Sequence, residues 1–204
     1  MRPPATHPNH PGLPGHHAPA VGFEVPLEML AACHGRVQNQ CETLGRLVEH
    51  LGQHGADLQA RQAAAAVMRY FDTAARHHHA DEEVDLFPAL IESMAGSDAV
   101  CLRELTASLV ADHRELEHRW SGLRRQLESV AAGQSASLAG DTVADFVRLY
   151  ERHIAREESE LLPMARRLLS DEELDRIGLA MRVRRNAVDT ADASQPQKTA
   201  QAQR

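Results

Sequence analysis

The chain repeats itself, and the repeat is built on histidine, glutamate and proline. The segment "HHADEEVDLFP" at 78–88 aligns without a gap on "HIAREESELLP" at 153–163. His78 matches His153, Glu82 matches Glu157, Glu83 matches Glu158, Leu86 matches Leu161 and Pro88 matches Pro163, all at an offset of 75 that also aligns Phe71 with Phe146. A second register, at an offset of 79, sets Leu30 on Leu109, His34 on His113, Val37 on Leu116 and Leu44 on Leu123. A chain duplicated in this way reads as two copies of one helical hairpin. In each copy the first helix carries one histidine and the second carries His-x-x-x-Glu.

Hydrophobic spacing supplies the helices. From Pro26, acceptable in a first helical turn, apolar or small residues recur at 27, 30, 34, 37, 41, 44 and 48 once His34 is admitted to the stripe. A second helix is expected from about Asp57 to Met94, a third from about Asp98 to Ala132 and a fourth from about Ala139 to Leu169. Ser170 with Glu173 forms a capping-box signature for a short fifth helix over about 171–185. Pro88 and Pro163 fall inside the second and fourth helices and should kink them or end the preceding segment. No stretch alternates as a strand would. The expected fold is all-α: an antiparallel up-down four-helix bundle with a short C-terminal fifth helix. Residues 1–24, rich in Pro and His, and residues 187–204 read as disordered tails around a bundle domain at 25–186.

Composition narrows the function. A net charge of -7 argues against broad nucleic-acid or anionic-lipid binding. Arg182, Arg184 and Arg185 read as the basic last turn of a helix. No apolar run approaches the ~18 residues of a membrane span, and the N-terminus has no charged segment leading into an apolar one. Cys33, Cys41 and Cys101 are odd in number and lack Cys-x-x-Cys spacing, which suits a reducing, cytoplasmic setting.

The run His77, His78, His79 raises the question of which histidine faces inward. His78 lies seven residues after Phe71 and three after Ala75, and Leu86 is four past Glu82, so the stripe of His78 and Glu82 is the core stripe. His79 shares a stripe with Asp72, Arg76 and Glu83 and is expected to face water; His77 takes an intermediate face. A His and a Glu four apart project from one face of a helix. Two such helices aim His78, Glu82, His153 and Glu157 at a shared interior point, with His34 and His113 entering from the other two. Two desolvated carboxylates in an apolar core repel each other, and a cation relieves that strain. The set accommodates two divalent ions bridged by Glu82 and Glu157, with the four histidines as terminal ligands. Imidazole and carboxylate without thiolate suit non-haem iron, with manganese or zinc less favoured. The plain alternative is a structural bundle, because a single His-x-x-x-Glu pair is commonly a surface pair; the matched recurrence is what favours metal.

With these residues in view, the chain resembles the hemerythrin-like (HHE cation-binding) family. The resemblance is carried by "LAACHGRV", "HHADEEVDLFPAL", "LVADHRELEH", "YERHIAREESELLPMA" and the closing "SDEELDRIGLAMRVRR", over roughly residues 26–185. It implies a bundle holding an oxo- or hydroxo-bridged di-iron centre, reactive toward dioxygen, nitric oxide or peroxide. The oxygen-carrying members place two histidines four apart on the third helix, where this chain has His113 and Glu117. They space His and Asp by five on the fourth, where this chain has His153 and Glu157 at four. The symmetric pattern is nearer the bacterial di-iron proteins of iron–sulfur cluster repair and nitrosative or oxidative stress, without their additional cysteine-bearing domain. The expected function is a binding or sensing protein for dioxygen or nitric oxide, or one that handles iron under stress. The alternative is a di-iron redox enzyme drawing on an external reductant, since no flavin or nucleotide motif is visible. Glu117 and Tyr150 are candidates to lie beside the metal, the first four past His113, the second three before His153. Trp120 and Cys41 are expected in the core, and Cys33 is turned from the face of His34.

Overall fold

The structure is a computed structural model that describes residues 22–94 and 98–192; of the expected tails at 1–24 and 187–204, residues 1–21 and 193–204 lie outside the described residues. Among the described residues there is no strand. Helix α1 spans Pro26–His54 and ends at Gly55, whose φ of 69° takes the left-handed conformation that glycine adopts without strain. Asp57 caps α2 (Leu58–Asp72), its carboxylate accepting from the Ala60 N–H at 2.8 Å. The expected second helix then continues in three pieces: α3 (Ala74–Ala80), a π-helical turn at Asp81–Leu86, and α4 (Phe87–Ser93). Helix α5 spans Asp98–Ala131. The expected fourth helix is α6 (Gly140–Arg156), a second π-helical turn at Glu157–Leu161, and α7 (Leu162–Leu168). Ser170 and Glu173 close their reciprocal cap at the start of α8, the Glu173 carboxylate accepting from the Ser170 N–H at 2.8 Å. Helix α8 runs from Asp171 to Asp192, past the boundary at 186 that the sequence suggests.

The breaks have local causes. At Thr73 the hydroxyl donates to the Arg69 carbonyl at 2.7 Å and the backbone leaves the helical region, a competition with the helical ladder that bends helices. Before each proline the ladder widens and the preceding α-helical segment ends, with the proline in the first turn of the next one. Pro88 and Pro163 have no N–H to donate. The preceding residues donate five back instead of four, Phe87 to the Glu82 carbonyl and Leu162 to the Glu157 carbonyl. The duplicated sequence thus makes the same rare turn twice, each time at the glutamate of His-x-x-x-Glu.

Helix α1 packs on α2 and α6, and α5 packs on the same two, so the long helices form a square in the order α1, α2, α5, α6. Their apolar stripes divide into two clusters. One holds Val37, Leu44, Phe71, Leu116, Leu123, Leu127 and Phe146; the other holds Leu30, Leu86, Leu90, Leu109, Leu161 and Met181. Helices α1 and α5 run from the second cluster to the first, and the α2 and α6 arms return, which is the expected up-down topology. Between the clusters lie His34, His78, His113 and His153, each flanked along its helix by residues of both. No helix among the described residues is long and apolar enough to cross a membrane.

Helix α8 closes the second cluster with Ile177 and Met181 and grips the first π-turn through charge. Arg184 pairs with Asp81 and with Asp85, the latter at 2.6 Å, while Arg185 reaches Asp81 at 2.6 Å. Asp81 is wholly buried, so the two guanidiniums compensate a carboxylate with no access to water. The basic last turn read from the sequence is therefore a tie to the core of the first hairpin. Arg182, half-exposed beside Glu24 at 3.5 Å, is not part of it. Replacing both Arg184 and Arg185 by alanine should strand the Asp81 charge and lower unfolding free energy by about 3–5 kcal/mol, whereas Arg182→Ala should change it by less than about 0.5 kcal/mol. Thermal melts of the two variants check this, and equal melting temperatures would contradict the tie.

Candidate metal centre

The six side chains singled out by the repeat meet in one layer. His34, His78, Glu82, His113, His153 and Glu157 are each at most 2% exposed. Their ligand atoms fall into two overlapping sets: His34, His78, Glu82 and Glu157, and Glu82, His113, His153 and Glu157, the atoms within each lying inside 4.8 Å of one another. The two glutamates belong to both sets. Closest approaches are His34 Nε2 to Glu157 Oε2 at 3.1 Å, His153 Nε2 to Glu157 Oε1 at 3.1 Å, His113 Nε2 to Glu82 Oε2 at 3.3 Å and His78 Nε2 to Glu82 Oε1 at 3.4 Å. These are convergent tips more than finished hydrogen bonds. His34 Nε2, Glu82 Oε2 and both carboxylate oxygens of Glu157 are buried without a hydrogen-bond partner, an arrangement native interiors rarely leave uncompensated. A cation bound by nitrogen and oxygen fits that donor set. No cysteine joins it among the described residues.

The outward nitrogens of two imidazoles are held by carboxylates of the opposite hairpin. His34 Nδ1 lies 3.0 Å from Glu158 Oε1, and His113 Nδ1 lies 2.7 Å from Glu83 Oε1. A carboxylate only accepts, so each Nδ1 carries the proton and each Nε2 turns a lone pair inward, as a metal requires. Arg114 in turn holds Glu83. The π-turns explain how two adjacent glutamates serve one site. A wider turn reduces the angle between successive side chains, so Glu82 enters the layer while Glu83 reaches the imidazole beside it.

The Hemerythrin HHE cation binding domain profile matches residues 25–165. The chain belongs to the hemerythrin HHE cation-binding family. A protein of Haemophilus influenzae (strain Rd) that bears only the name "Uncharacterized protein" is 35% identical to it over 160 residues, 78% of this chain and 90% of the relative. The family match ends before α8, so the Arg184 and Arg185 tie lies beyond it.

Two expectations for this hemerythrin-family layer need correction. His79 does not face water: it is 6% exposed, and its ring stacks on His113 with centroids 4.0 Å apart and an interplanar angle of 11°. Glu83, expected on that same wet stripe, is bonded to His113. The phase taken from Asp72 and Arg76 does not carry across Thr73 and the π-turn. The usable signals were Ala75, buried and four residues before His79, and the match of Glu83 to Glu158. Of the neighbouring candidates, Glu117 is about half-exposed, pairs with Arg114 at 3.2 Å and stands outside the converging sets. Tyr150 is buried against Phe71 and Phe146, with ring centroids at 5.6 and 5.1 Å. Trp120 packs on Phe71 and donates to Asp72 at 2.9 Å. Cys41 is buried as expected. Cys33 is buried too, its sulfur accepting from Arg36 at 2.9 Å.

Without a cation the two glutamates divide one proton unequally. Burial, then the charge of Glu157, pushes Glu82 well above the ordinary carboxylate range. Burial presses Glu157 the same way, but His153 and His34 outweigh it and hold Glu157 well below that range. Burial lowers His34, yet contact with Glu157 wins and raises it. Burial followed by repulsion from other imidazoles holds His78 and His79 far down, so both stay neutral.

Two outcomes follow for the protein in solution. Folded, chelator-treated protein carries a proton on Glu82 that the unfolded chain releases above its ordinary value of 4.5, so the contribution of this group to stability is lost as pH rises toward the raised value. Glu82→Gln removes that loss. Its melting temperature relative to wild type should therefore climb as pH rises above 4.5; a gap that is flat or narrows would show Glu82 already ionised in the fold. Separately, Glu83→Ala should weaken divalent-metal binding about 10–100-fold in chelator competition, while Glu117→Ala leaves it unchanged. Equal effects of the two substitutions would remove Glu83 from its role at His113.

Proposed function

We propose that this hemerythrin-family protein holds a non-haem di-iron centre and uses it to bind or sense dioxygen or nitric oxide, or to handle iron under oxidative or nitrosative stress. One observation carries the reading: two buried donor sets, each with two imidazoles, share the same two carboxylates. His34 and His78 would hold one ion, His113 and His153 the other, and Glu82 and Glu157 would bridge them. Glu158 and Glu83 fix the tautomers of His34 and His113. Iron bound there supplies one-electron chemistry and coordination positions open to a diatomic ligand. The apolar clusters above and below exclude bulk water, which strengthens every charge interaction in the layer.

Access for a small ligand is supported by a cavity of about 380 Å³ lined by Phe71, Leu116, Trp120, Tyr150 and His79, the last stacked on His113 of the layer. Asp72 and Arg124, paired at 2.8 Å, also line it. Nothing of nucleotide or flavin size is demanded by this route. The same cavity would serve a redox enzyme supplied with electrons from outside, so turnover is what separates the two.

Anaerobic reconstitution with ferrous iron, followed by exposure to air, should give about two irons per chain and near-ultraviolet oxo-to-iron absorption. Protein that retains one iron or none, or that takes up zinc or manganese in preference, would defeat the di-iron reading. Sustained consumption of nitric oxide or peroxide with a reductant present would reassign it as an enzyme.

A further inference from the structure

Large apolar side chains exposed singly on a surface carry no message. Among the described residues six are exposed, and four of them, Val25, Val84, Leu179 and Val183, gather around one helix. Leu179 and Val183, 60% and 58% exposed, stand four apart on the outer face of α8. Val84 flanks them on one side, lining a shallow groove with Arg176 and Ile177. The segment that carries Val25 flanks them on the other. There the Phe23 carbonyl lies so close that a Cβ on Gly178 would come within 2.1 Å of it, and the Arg182 guanidinium stands 5.7 Å from the Phe23 ring. The opposite face of α8 is buried on the bundle through Ile177 and Met181.

The charges beside this stripe are ordered. Asp175 and Arg182 are both exposed and seven residues apart, about two helical turns, so they share one edge of the face. Asp175 has no ion-pair partner among the described residues, and Arg182 pairs with a well-exposed Glu24 at 3.5 Å. When two copies of a helix pair antiparallel about a two-fold axis, each edge meets the same edge of its mate in reverse order. With the axis between Gly178 and Leu179, Asp175 stands opposite Arg182 of the second copy, Arg182 stands opposite its Asp175, and the two Leu179 side chains meet at the centre.

We propose that the outer face of α8 is a self-association surface, on which two copies of this chain pair antiparallel through Leu179 and Val183 and through reciprocal Asp175–Arg182 ion pairs. The face is about 24 Å long over residues 171–186 and, with its flanks, about 20 Å wide. That is roughly 500 Å² on each partner, the size of weak, exchanging contacts, so the dimer forms with a micromolar dissociation constant. The pairing leaves Arg184 and Arg185 on their carboxylates in the first π-turn, and it stands whether or not the buried layer holds metal.

Sedimentation equilibrium of the full-length protein, from about 1 to about 300 μM, tests this. Wild type should pass from monomer toward dimer within that range. Leu179→Glu should weaken the dimer at least about tenfold, since it sets two carboxylates against each other at the centre. Asp175→Arg and Arg182→Asp should each weaken it about tenfold, with melting temperatures close to wild type showing that the variants are folded. Mixed in equal amounts, the two reversal variants should recover wild-type affinity as a heterodimer, because every pair across the axis is then again between opposite charges. A wild type that stays monomeric overturns the proposal. So does a dimer that tolerates Leu179→Glu, or a mixture that associates no better than either reversal variant alone. Should Leu179→Glu fail to fold, the mixture decides the matter by itself.

Discussion

Everything in this bundle is arranged around an electrostatic debt: two carboxylates and four imidazoles, taken out of water and set between two hydrocarbon plugs. Each plug packs as an ordinary helical core, and neither alone would tolerate the layer. Desolvating a carboxylate beside another is unfavourable by several kcal/mol in real proteins, and one proton shared between Glu82 and Glu157 relieves it only in part. The fold keeps the layer because the groups converge on positions a cation can take. Their convergence is also the geometry that makes the apo layer tense, with carboxylate oxygens lacking partners at the centre. Stability of the metal-free protein and affinity for metal are thus opposite faces of one arrangement.

The π-turns connect that chemistry to the sequence. A proline two residues beyond the core leucine, Pro88 after Leu86 and Pro163 after Leu161, denies the helix one donor and forces the wider ladder upstream. The widened turn is what allows the Glu-Glu pairs to divide their work, one residue at the layer and the next on an imidazole of the other hairpin. His34 is held by Glu158 and His113 by Glu83, so docking of the hairpins and selection of the tautomers are one event. A hairpin alone would carry ligands without the groups that orient their partners.

Much of this was legible. Helical spacing placed Leu30, Phe71, Leu109, Leu123 and Phe146 in the core, all of which are buried, and the capping box at Ser170 forms as read. The repeat brought six polar residues to one layer because duplication preserves geometry even where a single helix face is ambiguous. What escaped was phase. A period counted from Asp72 and Arg76 sends His79 and Glu83 to solvent, but the break at Thr73 and the π-turn at Asp81–Leu86 reset the count. No residue type announces a π-turn as glycine announces a left-handed one; the duplicated proline was its trace. Arg184 and Arg185 escaped for a different reason. A basic helix end is ordinarily explained by the dipole, and only the buried position of Asp81, far away in sequence, shows the other use.

Where the copies diverge, the divergence is paired. Asp81 and Arg156 occupy the same place in the two repeats, one residue before the glutamate of the layer, yet carry opposite charge. Asp81 is buried and answered by arginines from α8; Arg156 turns to α5, reaching Ser108 at 3.0 Å and Asp112 at 3.3 Å. Asp112 in turn lies 3.7 Å from His153 Nδ1, beyond hydrogen-bond reach. The first hairpin is therefore anchored from outside the bundle and the second from within it. Because the ion pairs of α8 reach the π-turn that carries Glu82, loosening α8 would act first on that carboxylate. The duplicated frame sets where the six donors stand, and these unmatched contacts decide how alike the two halves of the layer can be.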